Sequence, residues 1–377
     1  MRPVRRTARA WLAALAAALW LGGCAAWSPF RSGMAPPVGW SALRGWEADR
    51  HAQAWPALLR SCDKLADRAP AWRRLCRAAA AEGEIDDARA RAFFERWFRP
   101  RPLRGRWFRR TGLITGYYEP LLRGSLSPDP RYPYPLYRPP PDLVTVELGE
   151  LFPALQGRRV RGRLAGRRVV PYYSRAEIDG GGRPLAGHEL VWVDDPVAAF
   201  FLHIQGSGRI RLEDGRVLGI GYADQNGHPY RAIGRTLVEM GALALEEVNL
   251  FSLRDWLRAH PRRAAEVLHS NPSYVFFRLR PAPAAGPIGS LGVPLTAGRS
   301  LAVDPRVVPL GLPVWLDSRR PEDGRPYRRL MLAQDTGGAI RGTLRADVFF
   351  GHGPEAERLA GHMKQPGRLY VLEPVAP

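Results

Sequence analysis

Lysine is almost missing from this chain: Lys64 and Lys364 are the only two in 377 residues, so a formal charge of +20 rests almost wholly on arginine. Such a bias can follow genome composition and by itself assigns no function. A basic surface still favours polyanions, whether nucleic acid, anionic lipid or a carboxylate-rich polymer. Cysteine is also scarce, at Cys24, Cys62 and Cys76, and the eight histidines stand without ligand spacing, so no metal is implied. The chain has no internal repeat. Near the start, the apolar run Trp11 to Leu21 is shorter than the ~20 residues that span a bilayer. What remains is 45% hydrophobic and 10% aromatic, enough for two domains with real cores.

Residues 1–23 carry Arg2, Arg5, Arg6 and Arg9 ahead of that apolar stretch and end in small residues, the pattern of a secretory signal rather than a short transmembrane anchor. Leu21-Gly22-Gly23-Cys24 resembles the lipobox of bacterial lipoproteins, in which cleavage leaves Cys24 as the lipidated first residue. Alanine at position 25, rather than aspartate, resembles lipoproteins sent on to the outer membrane. The expected location is therefore the outer membrane, lipid-anchored and facing the periplasm, where nucleic acid is not a partner. Cleavage removes four arginines and no acid, lowering the charge from +20 to +16. Cys62 and Cys76, fourteen apart on consecutive helical segments, are candidates to pair across an αα-hairpin, and the spacing leaves open whether they do.

Residues 24–39 are Pro/Gly/Ser-rich and read as a tether. From Trp40 to Phe98 apolar residues recur at three- and four-residue spacing, which predicts helices with a Trp/Leu core stripe. Phe108 to Pro120 reads as a strand emptying into a turn, with Tyr117 and Tyr118 on opposite faces, one for the core and one to stack on a ligand. The proline-heavy stretch from Leu121 to about Asp142 can be neither helix nor central strand and reads as a crossing between units. Beyond it, alternating runs, Ala198 to Gln205 among them, predict a small β-barrel or sandwich, with a hairpin turn at Leu212 to Arg216. Residues 235–248 and 252–270 return to helical periodicity, Asn271 to Leu279 is a strand, and the remainder from about Gly286 reads as a closed all-β barrel.

Two acids stand out. An apolar run from Leu330 to Ala333 delivers Asp335 to the pair Gly337-Gly338, and Asp347 arrives just before Val348-Phe349-Phe350. Carboxylates at the mouths of apolar strands are costly unless paired, hydrogen-bonded or used. Asp335-Thr336-Gly337 spells the aspartic-protease triplet, but that chemistry needs two carboxylates sharing a proton, from two such triplets or from a homodimer, and the chain has one triplet, with Asp347 following on a different pattern. In His203 to Ile210, Ser207 is no nucleophile elbow, because Gln205 stands where a glycine is required. Gly206 and Gly208 there fit either a close ligand approach or a plain β-bulge. Asp224, Gln225, Asn226 and His228 crowd one loop, which suits a hydroxyl-rich ligand or simple turn chemistry.

GYYEP, HIQGSGRI, YADQNGHPYRAIG, NPSYVFFR, GVPLTAGRSLAVDPRVVPLG and QDTGGAIRGTLRADVFFGHG, in this order after a lipobox, closely resemble the membrane-bound lytic murein transglycosylase A family. The likeness implies a mainly β fold with an N-terminal helical segment. A double-psi β-barrel would be formed by residues 40–120 together with a 3D segment at 276–377, named for three aspartates matched by Asp304, Asp335 and Asp347. A second β-barrel at 121–275 would be inserted between them, with a glycan in the groove. It implies a peptidoglycan lytic exotransglycosylase that cleaves between N-acetylmuramic acid and N-acetylglucosamine without water or cofactor, although the motifs do not separate exolytic from endolytic attack. Asp347 maps onto the single acid/base and Asp335 onto its partner. Tyr117, Tyr118, Gln205, Ser207, Asp304, Gly337 and Gly338 become candidate glycan contacts. The implied partners are glycan strands, the outer membrane through Cys24 and other cell-wall enzymes, the protein itself being a monomer. A scaffold that binds murein without turnover and an aspartic protease are the rival readings.

Overall fold

The computed structural model describes residues 33–156, 159–281 and 286–375; the signal segment, Cys24 and the first part of the tether lie outside them. The tether is shorter than its composition predicts. Gly33–Met34 already pairs as β1 with Arg104 and Leu103 of β2 (Phe98–Arg104), and the Ala35 and Val38 amides donate to the carbonyls of Pro102 and Pro100. A stretch without periodicity can still lie extended along a sheet edge.

Residues 40–54 form short 3₁₀ turns where helix was expected, since Gly45 takes a φ of 74° that a helix cannot contain. Helices α1 (Trp55–Leu65), α2 (Pro70–Glu82) and α3 (Asp87–Trp97) follow. The first two carry proline at their first or second position, Pro56 and Pro70, and α3 is capped by Asp86, whose carboxylate accepts from the Arg89 amide at 2.8 Å. Their apolar faces bury Leu58, Leu75 and Phe94 against Trp315, Leu330, Leu332 and Leu372 of the sheet below. Cys62 and Cys76 form a disulfide that pins α1 to α2, with their Cα atoms 5.4 Å apart. Closing a loop of this size restricts the unfolded chain by ~3 kcal/mol. Thermal unfolding with and without reductant should therefore show a lower Tm for the reduced protein; equal values would mean that helix packing alone holds the hairpin.

After α3 the chain runs through β2 and β3 (Gly112–Glu119), then leaves this sheet at Pro120. It next forms β4 (Leu121–Ser125), β5 (Tyr134–Tyr137), β6 (Val144–Val146), β7 (Val160–Ala165), β8 (Arg168–Val170), β9 (Glu189–Val193), β10 (Ser207–Arg211), β11 (Val217–Gln225) and β12 (Val275–Pro281). Six of these make a sheet in the order β12-β11-β10-β4-β9-β5, and β6-β7-β8 make a small one. Because β4 sits between β10 and β9, the crossing narrows to Pro120, and β5, which contains Pro135, takes an edge, where a strand tolerates a missing donor.

Helices interrupt this region more than periodicity predicts. Arg175–Asp179 (α4) follows a capping box in which Ser174 and Glu177 satisfy each other's amides. Pro196–Gln205 (α5) overturns the strand reading of Ala198 to Gln205: Asp195 caps it and Gly206, at φ 74°, ends it, so Gly206 is a helix terminator and no β-bulge. A helix packed on several sides carries apolar residues all round and loses its stripe. Ile233–Glu239 (α6) stops before Gly241, short of the predicted run, and Leu250–Ala259 (α7) and Pro261–His269 (α8) split at Pro261.

The chain then returns as β13 (Ser300–Val303), β14 (Pro313–Arg319), β15 (Pro326–Asp335), β16 (Arg345–His352), α9 (Pro354–His362) and β17 (Lys364–Pro374). The eight-stranded sheet runs β1-β2-β17-β14-β15-β13-β16-β3, and a further pairing of β3 with β17 closes a circuit of six strands. Inside that circuit pack Ile114, Leu301, Val303, Val314, Met331, Ala346, Val348 and Val371. Residues of opposite parity on the same strands face outward, and there the helices cover one side and leave another open.

Candidate active site

The open side is organised by register. Ala302 of β13 pairs with Asp335 of β15 on one side and with Asp347 of β16 on the other, and Asp347 pairs in turn with Thr115 of β3. Alternation sends Ala346 and Val348 into the circuit, so Arg345, Asp347 and Phe349 point outward together with Thr115 and Tyr117. The two acids, twelve positions apart in the chain, thus flank one alanine on a single face.

Their surroundings differ. Asp335 Oδ1 accepts from the amide and hydroxyl of Ser290, both at 2.9 Å, and Oδ2 from the Tyr117 hydroxyl at 2.9 Å. Burial pushes its pKa up against the pull of those donors, and burial beside Asp335 pushes the Tyr117 phenol well above its ordinary value, so Tyr117 stays a donor. Asp347, half-buried two residues before Phe349 on the same strand, accepts at Oδ1 from the Thr115 hydroxyl at 2.7 Å, its one hydrogen bond among the described residues. Burial, reinforced by the Asp335 charge, raises its pKa to about 6, while the Thr115 hydrogen bond and Arg345 pull the other way. Arg345 donates to Thr115 Oγ1 at 2.8 Å. That leaves the Thr115 hydrogen for Asp347 Oδ1, so a proton on Asp347 resides on Oδ2.

The other candidates divide. Tyr118, next to Tyr117, is buried on the opposite face, where it packs on Ala356 and Ala360 and its hydroxyl donates to Glu357 at 3.1 Å. Both tyrosines are therefore anchored by their hydroxyls, and neither ring stands open as a stacking platform. Gln205 reaches across from α5 to accept from the Tyr118 amide at 3.1 Å, and Ser207 opens β10 two residues on. Asp304 is buried and fully engaged: Arg306 holds it from Nε and Nη2, at 2.9 and 2.6 Å, and the Gly342 amide from 2.7 Å, so its pKa falls far below the carboxylate range. It fastens the loop between the two acids. In that loop a Cβ on Gly337 would come within 2.8 Å of Ile340, whereas one on Gly338 would meet nothing within 4 Å, which leaves the Gly338 backbone approachable. Asn226 is structural, since its side-chain amide donates to the Tyr173 and Pro272 carbonyls, and Asp224 is paired with Arg161.

Sequence reasoning passed over Thr115, Ser290, Arg345 and Glu119. Thr115 and Arg345 lie two positions from Tyr117 and Asp347, so strand alternation alone places them on the same face. Glu119, wholly buried where β3 hands over to β4, is gripped by Arg280 at 2.6 Å and Arg209 at 3.4 Å from the second sheet.

Residues 113–278 match the model of the MltA specific insert domain, and residues 299–373 match the 3D domain. A crystal structure of MltA from Neisseria gonorrhoeae is 35% identical with a TM-score of 0.76, covering 91% of this chain and 92% of that one. The chain belongs to the membrane-bound lytic murein transglycosylase A family. A crystal structure of Escherichia coli MltA with bound chitohexaose is 25% identical with a TM-score of 0.68, covering 92% of this chain and 95% of that one. The curated membrane-bound lytic murein transglycosylase A of Escherichia coli K12 is 34% identical over 267 residues, and the match spans 69% of this chain and 65% of that relative's length. The MltA insert match begins inside β3, so the family boundary crosses a strand of the first sheet.

Proposed function

We propose that the protein is a peptidoglycan lytic transglycosylase in which Asp347 is the one group that exchanges protons with the glycan. The observation that carries this is the asymmetry of the two acids. Asp335 has both oxygens occupied by three donors, whereas Asp347 keeps Oδ2 for substrate and has a pKa of about 6. Most glycosidases need two carboxyl groups. One suffices if the muramic acid C6 hydroxyl is the nucleophile, because well-oriented intramolecular attack is worth ~7–11 kcal/mol.

Protonated Asp347 gives its Oδ2 proton to the glycosidic oxygen as the bond to muramic acid C1 breaks. The resulting carboxylate then takes the proton of the C6 hydroxyl as that oxygen closes on C1, yielding a 1,6-anhydro end and returning Asp347 to its starting state. No water is consumed. Asp335 supplies fixed negative charge that favours both the protonated form of Asp347 and the cationic sugar in the transition state. The six-strand circuit supports a double-psi barrel built from residues 40–120 and 276–377. Residues 121–275 would form the inserted barrel, and the groove between them would take the glycan. A lipid on Cys24 would hold a monomer at the outer membrane, facing the periplasm near other cell-wall enzymes.

Because the reaction starts from the protonated acid, kcat/KM on purified sacculi should decline above about pH 6, approaching tenfold per pH unit. A rate flat from pH 5 to 8 in a buffer series would contradict Asp347 as the acid.

A further inference from the structure

The row of residues that holds Asp347 does not stop at Thr115. Thr115 pairs across β3 with Lys364 of β17, and Leu113 pairs with Arg345 on one side and Pro366 on the other. By strand alternation Lys364, Leu113 and Pro366 therefore stand on the same outward face as Asp347, with Lys364 two strands away, about 10 Å across the sheet. Here a cleft of about 600 Å³ opens, lined by Arg109, Arg110, Leu113, Lys364 and Pro366 among others. Arg110 also lines a second cleft, of about 240 Å³, with Arg104 and Arg368.

None of Arg104, Arg109, Arg110, Lys364 and Arg368 has a carboxylate partner among the described residues, whereas arginines such as Arg89, Arg131, Arg216 and Arg358 are paired. The Arg104 Nε atom is buried with no hydrogen-bond partner at all. Unpaired cations gathered along two adjoining clefts repel one another, so the arrangement is stabilised by an anion that spans them. Continuity with the Asp347 face indicates where that anion comes from.

We propose that these clefts form a subsite for the acidic peptide substituent on the muramic acid next to the scissile bond, its carboxylates pairing with Arg109, Arg110 and Lys364. The inference rests on the transglycosylase reading and names which form of the glycan the site prefers. Leu113 and Pro366 offer apolar floor for the peptide's carbon chain.

The test compares glycan chains that carry peptides with the same chains stripped by an amidase, using the intact protein, Arg109→Gln/Arg110→Gln and Lys364→Gln. All three changes are on exposed side chains outside the acid site. The expected result is a rise in KM for peptide-bearing chains of roughly fivefold or more, as for loss of a charge-assisted contact, with kcat and the kinetics on stripped chains unchanged. High salt should erase the unaltered protein's preference in the same way. Equal KM values for the two polymers in the unaltered protein would overturn the proposal. So would variants whose only deficit is in binding phosphatidylglycerol vesicles, which would assign the clefts to lipid. If no protein turned over either polymer, the catalytic reading would fail separately, and direct binding of peptide-bearing chains would still decide the subsite: weaker binding by the variants supports it and equal binding overturns it.

Discussion

Asp347→Asn should lower kcat on purified sacculi by about 10²–10⁴-fold, the usual worth of a positioned acid/base, while sacculus binding stays within a factor of about two. Asparagine keeps the size of the side chain and its acceptor for the Thr115 hydroxyl, so the loss isolates proton transfer from packing. The same variant carries a stability signature of opposite sign. The folded-state pKa of Asp347 is raised to about 6, so folding is penalised once pH rises through the range between the ordinary carboxylate value and that one. Asp347→Asn removes the penalty. Its Tm should exceed that of the unaltered protein at pH 7, and the two should converge below about pH 4, where both folded and unfolded forms hold the proton. A variant that is slower and more stable at neutral pH fits a site strained for chemistry; one that is slower and less stable would place Asp347 in the structure instead.

Glu119→Ala should destabilise the protein by ~3–5 kcal/mol, because it leaves two part-buried guanidinium groups facing a hole where a fully buried carboxylate stood. Glu119 lies beside Pro120, the point where the chain passes from one sheet to the other, and its partners Arg209 and Arg280 both come from the second sheet. Removing it should therefore loosen the junction of the two sheets as well as the fold. Urea unfolding gives the stability change, and a loss under ~1 kcal/mol would show that the clamp is replaced by water at little cost.

The stretch around the two acids was legible in the sequence because it is local. Leu330 to Ala333 and Val348 to Phe350 announce strands, and the carboxylates at their ends break the apolar pattern. What could not be read there is the inequality of the acids. The donors that occupy Asp335 come from Ser290 and Tyr117, 45 and 218 positions away, and the Thr115 contact to Asp347 spans 232. Glu119 is the extreme case: before a proline it reads as a turn residue, and only its partners 90 and 161 positions on make it a buried clamp. The mistaken strand at Ala198 to Gln205 has a different cause. Its helix is packed on several sides, so periodicity vanished, while the cap at Asp195 and the stop at Gly206 remained visible as local chemistry. Tyr118 and Asp304 carried family resemblance without freedom to act, since their polar groups are already committed to Glu357, Arg306 and Gly342.

In the proposed reaction an internal hydroxyl replaces water at the carbon whose bond Asp347 breaks. Mass spectrometry of the fragments released from purified sacculi, with digestion carried out in H₂¹⁸O, tests it most directly. Fragments ending in 1,6-anhydromuramic acid with no ¹⁸O incorporated are expected; reducing muramic acid ends carrying one ¹⁸O would contradict intramolecular attack.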